Sequence, residues 1–301
     1  MKTSINLSEW LNHQFPLNMI KDKNKDFFDV FNQANAEINY NDILNHEDII
    51  SVLKNHGLVI NNLRWEYPLL ETYSDQEKNN KISNDQILEL LKKWGIKNLT
   101  LIDTSYYPGH DISINTRLAD TKMDQDKWNL MSEKLNLLGE LCKSQDIHLM
   151  VTNHSGTIIE NMNDFLKLSD NYNYGFNIDV PHFLYINEKM DQMDTALIAK
   201  IENKVTGIRL GSFTACAWVA TRQNRYSWNE SVRFGIFEPY KTEHKKMLKN
   251  FNQMILNRYN HLKTVSLICE RNNELNNPLD NFKSAQAAFH EIIESQNLLK
   301  S

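Results

Sequence analysis

The chain has 301 residues, of which 41% are hydrophobic and 24% charged, with a net charge of -5. That composition suits one large α/β domain, needs no metal or disulfide merely to fold, and argues against a nucleic-acid partner. The start M-K-T-S-I-N-L-S lacks the apolar run of a signal peptide, and no stretch reaches the roughly 18 apolar residues of a membrane helix. Cys142, Cys216 and Cys269 form no C-x-x-C pair, so reduced thiols in a cytoplasmic protein without a membrane partner are expected.

Apolar runs alternate with helix-length amphipathic segments from end to end. Thr3–Leu7 is predicted as a strand, Phe27–Asn35 as part of a helix and Ala36–Tyr40 as a second strand. A helix over Asn45–Asn55, acidic in its first turn and closed by Gly57, leads to a third strand, Leu58–Leu63. Asn84–Lys93 is helical, and Leu99–Asp103 is the fourth strand. A long helix follows over Gln125–Ser144, with Trp128, Met131, Leu135, Leu138, Leu141 and Cys142 on one face. His148–Asn153 is the fifth strand, Met162–Ser169 a helix and Gly175–Asp179 the sixth strand. Asp194 is placed to cap a helix over Thr195–Ile201, which precedes the seventh strand, Thr206–Leu210. His244–Tyr259 is helical, Thr264–Cys269 is the eighth strand, and a last helix spans Leu279–Leu299. Strict strand–helix alternation with right-handed crossovers favours a (β/α)8 TIM barrel over a doubly wound sheet, as one domain over residues 1–301.

In such a barrel the chemistry sits at the C-terminal ends of the strands. The most informative stretch is Y-G-F-N-I-D-V-P-H-F-L-Y-I, residues 174–186, where Asp179 and His182 follow a short buried strand as it breaks into a loop. The fifth strand ends V-T-N-H-S-G-T, with Thr152 and His154 on one face and Asn153 on the other. The seventh offers Arg209 and the eighth Glu270, with Ile268 one step below it on the same face. Glu37 on strand two and Asp103 on strand four read as structural, and strand three leads into Arg64 and Glu66. Bland alternatives stand beside each: a helix-capping His154, a structural ion pair at Arg209, a solvated Glu270. The long segment Gly211–Tyr240 interleaves Arg222, Arg225 and Trp228 with other aromatics. It suits either stacking on a small-molecule substrate or a homodimer interface.

The segment H-L-M-V-T-N-H-S-G-T-I-I-E-N-M-N-D-F-L-K-L-S-D, followed by Y-G-F-N-I-D-V-P-H, resembles the xylose isomerase-like TIM-barrel superfamily. That group includes sugar-phosphate isomerases/epimerases, inosose dehydratases and 3-dehydroshikimate dehydratases. The resemblance implies a small polyhydroxylated or carboxylated substrate and proton transfer next to a carbonyl. It also implies a divalent metal held by Glu, Asp, His and Glu from strands five to eight. Asp179 matches the metal-binding Asp, His182 the substrate-contacting His of D-x-x-H, and His154 the His of E-x-H. Thr152, Arg209 and Ile268 stand where the other three ligands belong, and Glu270 recovers a ligand role only by a two-residue slip. Asp179, His182, His154, Arg209 and Glu270 are therefore the expected catalytic set, with Asp179 and Glu270 as residual metal ligands. The expected cofactor is none, or a weakly bound Mn, Mg, Co or Zn ion, because Arg has no lone pair to offer and repels a cation. A catalytically inactive barrel acting as a small-ligand-binding or partner subunit is the alternative.

Overall fold

The computed structural model describes residues 3–11, 28–29, 34–70, 83–107, 117–168, 173–186, 195–213, 237–238, 249–268 and 278–297. Eight parallel strands close into a barrel: β1 (Ser4–Asn6), β2 (Asn35–Asn39), β3 (Ile60–Tyr67), β4 (Asn98–Asp103), β5 (His148–Thr152), β6 (Gly175–Asp179), β7 (Val205–Leu210) and β8 (Thr264–Leu267). Each pairs with its sequence neighbours, and β1 pairs with β8 to seal the ring. A two-residue antiparallel ribbon, Ser212–Phe213 with Phe237–Glu238, follows β7.

Alternation along the strands sorts side chains between two buried environments. Hydrogen bonds join residues on strands that are not neighbours, which places those residues in the lumen. Asn177 on β6 donates to Thr100 on β4, Ser266 on β8 donates to Glu37 on β2, and Arg209 on β7 donates to Glu37. Most intervening positions are apolar and pack outward on the helices. Phe176, for example, meets Phe165 of the helix Met162–Lys167 with ring centroids 4.6 Å apart. A barrel lumen is usually filled with branched aliphatic residues; here much of it is hydrogen-bonded polar side chain.

Two register shifts interrupt the ladders, where Asn61 on β3 is the extra residue opposite Ala36/Glu37 and Thr206 on β7 the extra residue opposite Phe176/Asn177. Bulges re-aim the residues that follow them on the bulged strand, and these two precede Asn62 and Arg64 on β3 and Arg209 on β7.

Several predicted elements shift in ways the local sequence explains. The helix expected over Asn45–Asn55 spans Glu47–Asn55, and a further short helix, Tyr40–Asn45, precedes it, separated at His46, whose φ of -131° leaves the helical region. Strand β3 continues past Leu63 to Tyr67, since R-W-E-Y keeps alternating and Trp65 is fully buried. Asp179 does not break into a loop. The helix Val180–Ile186 starts at once, with Pro181 in the first turn, where no amide is needed. The helices Gln125–Ser144 and Thr195–Ile201 keep their predicted bounds. Asp194, Cys216 and Cys269 lie outside the described residues, and Cys142 is a buried thiol pushed up to about 12 by burial. Among the described residues, no helix is long and apolar enough to cross a membrane.

Gly139, in the helix Gln125–Ser144, lies against the backbone leading into β6. An added Cβ would stand 2.5 Å from the Asn173 carbonyl oxygen. Gly139→Ala should therefore destabilise the fold by about 1–3 kcal/mol through overpacking, outweighing the gain of roughly 1 kcal/mol in helix propensity. Urea unfolding checks this, and a variant more stable than the parent would refute the close packing.

Candidate active site

The barrel is held together at its centre by one cation between two anions. Arg209 Nε donates to Glu37 Oε1 at 2.7 Å, and Arg209 Nη1 donates to Asp179 Oδ2 at 2.8 Å. All three side chains are essentially inaccessible. The second oxygen of Glu37 accepts from Asn62 Nδ2 and Ser266 Oγ, each at 2.8 Å. Asn62 in turn accepts from Thr100, which accepts from Asn177. Burying ions is costly unless every lone pair and proton is engaged; here the polar lumen residues supply that engagement.

Asp179 is fixed from several directions. Asn153 accepts from the Asp179 amide at 2.9 Å and donates to its carbonyl at 3.0 Å, the pattern a paired strand would supply. The His182 amide approaches Asp179 Oδ1 at 3.4 Å, and His182 Nε2 lies 4.0 Å from Oδ2. A second guanidinium, Arg64 on β3, reaches the same oxygen at 3.5 Å. The four formal charges of Glu37, Asp179, Arg64 and Arg209 sum to zero. Arg64 is held below its ordinary value by burial and by the charge of Arg209, against the pull of Glu37 and Asp179. Among the described residues its Nε finds no acceptor.

The turn after β5 carries the imidazoles. His154 and His182 stack with centroids 3.8 Å apart, both buried. The Ser155 amide donates to His182 Nδ1 at 3.2 Å, with Ser155 Oγ 3.0 Å from the same nitrogen. An amide can only donate, so Nδ1 keeps its lone pair and Nε2 carries the hydrogen, facing Asp179. His154 Nδ1 lies 3.0 Å from the Ser155 carbonyl, which can only accept. In its neutral form His154 therefore carries its hydrogen on Nδ1 and leaves Nε2 as an acceptor. One stacked ring is a donor at Nε2 and the other an acceptor.

The turn is tied down from outside. Gly156, at φ 82°, donates its amide to Glu160 Oε1 at 2.5 Å. Arg117 pairs with Glu160 Oε2 at 3.4 Å and holds both oxygens of Asp164 at 2.7 Å. Asn161 and Asp164 form the capping box of the following helix, so His154 does not cap it. Burial raises the Glu160 carboxyl from 4.5 to about 7, countered in part by the Gly156 amide and Arg117.

The fold thus brings Asp179, His182, His154 and Arg209 together at the C-terminal ends of β5, β6 and β7. Glu270, Arg222, Arg225 and Trp228 lie outside the described residues. Glu37, expected to be structural, is one of the two anions of the central ion triad. Its signal was a charged residue at an inward register position, legible only with the strand pairing known. Asp103 faces outward, accepting from the Leu69 amide and Ser105, and burial raises it to about 6. Of the positions where the resemblance implies metal ligands, Thr152 is a neutral hydroxyl, Arg209 a cation, Ile268 apolar and only Asp179 an anion. Within that set one anion beside a guanidinium is a poor match for a divalent ion, and Glu270, the other expected ligand, lies outside the described residues. Among the described residues no group of three His, Cys, Asp or Glu side chains is arranged to hold one.

No family model matches the chain. An inosose dehydratase of Clostridium perfringens (strain 13 / Type A) is 27% identical over 137 residues, covering 43% of this chain and 44% of that protein. The alignment therefore spans less than half of that enzyme. Among solved structures, the probable 3-DHS dehydratase AsbF, involved in petrobactin synthesis in Bacillus anthracis, superposes with a TM-score of 0.61. It is 15% identical, with 96% of this chain and 98% of that one covered. A xylose isomerase-like TIM barrel protein from Mycobacterium smegmatis, solved in complex with magnesium, gives a TM-score of 0.61 at 10% identity, covering 97% of each chain.

Two outcomes follow for the site. Arg209→Met leaves Glu37 buried without its counter-charge, with Asp179 facing only Arg64, and should cost about 3–5 kcal/mol; adding Glu37→Gln, which leaves Asp179 paired with Arg64, should recover most of it. Denaturant melts of the single and double variants decide this, and a loss under about 1 kcal/mol for the single variant would refute the central ion triad. For Glu160, a folded value raised above the unfolded one means its contribution is complete below about 4.5 and is lost as pH rises through about 7. The stability difference between wild type and Glu160→Gln should therefore fall across that interval and level off above it, as urea melts from pH 4 to 8 would record.

Proposed function

We propose that this chain, a (β/α)8 barrel of the xylose isomerase-like fold, acts on a small polyhydroxylated or carboxylated substrate by proton transfer next to a carbonyl. The observation that carries the reading is the stacked imidazole pair in opposite tautomers at the barrel mouth. His182 Nε2–H donates to the carbonyl oxygen while His154 Nε2 takes the proton from the adjacent carbon. The electron pair of that C–H bond moves to the oxygen and gives an enediol or enediolate. Return of the proton to either carbon isomerises or epimerises the substrate, and loss of a β-hydroxyl dehydrates it. The similarity to dehydratases and to sugar-isomerase-like barrels supports this class without choosing within it.

The Glu37–Arg209–Asp179 triad supports a metal site weakened or lost. Arg209 supplies positive charge at the position where the resemblance implies an ion, and orients Asp179 beneath His182. A Glu270 acid/base role and substrate stacking by Arg222, Arg225 and Trp228 remain part of the proposal. The same departures at Thr152, Arg209 and Ile268 favour a second reading, a catalytically silent barrel that binds a small ligand or partner.

Deuterium exchange at carbon next to the carbonyl, followed by NMR over a panel of ketoses, inososes and keto acids, tests both. Exchange should survive chelation and should fall by about 10²–10⁴-fold in His154→Gln. Stabilisation by Mn, Mg, Co or Zn in thermal melts, with activity abolished by chelation, would sink the metal-free mechanism. Ligand binding without exchange would select the silent barrel.

A further inference from the structure

The central triad uses Arg209 on two carboxylates and leaves the second guanidinium underused. Arg64 is 7% exposed and stands on the lumen face of β3, two residues beyond Asn62. Its reach to Asp179 is 3.5 Å, longer than a charge-assisted hydrogen bond, and that oxygen already takes Arg209 at 2.8 Å. Its Nε, buried, has no acceptor among the described residues. A desolvated cation with unspent donors costs free energy that only an incoming acceptor can return.

Building on the proposed proton-transfer reading, we propose that Arg64 is the substrate-anchoring residue and that the substrate bears a carboxylate. The Nε–H and an adjacent Nη–H form a planar fork that matches two carboxylate oxygens in parallel. A neutral hydroxyl would use one donor and leave the other unpaired. A phosphate dianion would add two negative charges to a buried cluster whose formal charges now sum to zero, whereas a carboxylate adds one. The ligand position follows from a shared atom. Arg64 Nη2 and His182 Nε2 lie 3.5 and 4.0 Å from the same Asp179 oxygen. A carboxylate on Arg64 therefore sits close to the carbonyl that His182 polarises. That geometry selects polyhydroxylated acids whose reacting carbonyl lies near the carboxylate end.

Isothermal titration with matched C5–C7 aldonates, alditols and alditol phosphates tests this, together with the Arg64 Nε–Hε resonance in ¹H–¹⁵N spectra. Aldonates should bind at least tenfold more tightly than alditols. The Nε resonance, identified by its loss in Arg64→Lys, should shift on aldonate addition. Arg64→Gln should remove the preference, and Arg64→Lys should weaken it. Equal binding of alditols, tighter binding of alditol phosphates, or an aldonate preference that survives Arg64→Gln would overturn the anchor and leave the proton-transfer reading standing. Absence of binding by all three classes, with an unmoved Nε resonance, would overturn both. Because the resonance is read in the wild-type protein, the test holds even if a variant folds poorly.

Discussion

One guanidinium between two carboxylates organises this barrel. Arg209 joins β7 to β2 and β6, strands on different sides of the lumen, and Asn62 and Ser266 engage the Glu37 oxygen it leaves open. The need to pair buried charge explains why the lumen is lined with Asn, Thr and Ser rather than with aliphatic residues. The extra residues Asn61 on β3 and Thr206 on β7 each lie three residues before a cation, Arg64 and Arg209, so the two ladder irregularities bear on where the guanidiniums point.

The fold was largely legible because each strand carries its own signature. Runs such as N-L-T-L and I-R-L alternate, and helix-length amphipathic segments separate them. That alternation normally marks a sheet with one face in water. Here both faces are buried, and the polar set faces a hydrogen-bonded lumen instead. The site was legible only in part. Asp179, His182 and His154 announce themselves by position near strand ends. Glu37 does not, because its importance comes from a partner 172 residues away across the barrel. Arg64 was visible only as the residue after the third strand, because that strand runs four residues longer than its apolar stretch suggests. The helix directly after Asp179 was obscured by Pro181, which reads as a breaker yet fits a first turn.

The imidazole pair shows how little backbone is needed to set chemical roles. A single residue, Ser155, offers its amide to one ring and its carbonyl to the other. The opposite polarity of those two groups makes the rings differ. Gly156 and Glu160 then hold the turn that presents Ser155. Positioning thus passes from a peripheral carboxylate to the two nitrogens without a direct contact between them.

The closure of the ring has a kinetic side as well. Ser266 and Glu37 are 229 residues apart in the chain, and Arg209 and Glu37 are 172 apart. Contacts of such long range carry a large loop-closure cost. The cation and both anions come from β2, β6 and β7, so no segment that stops short of Arg209 can assemble the ionic centre, and Ser266 completes the Glu37 contacts only from β8.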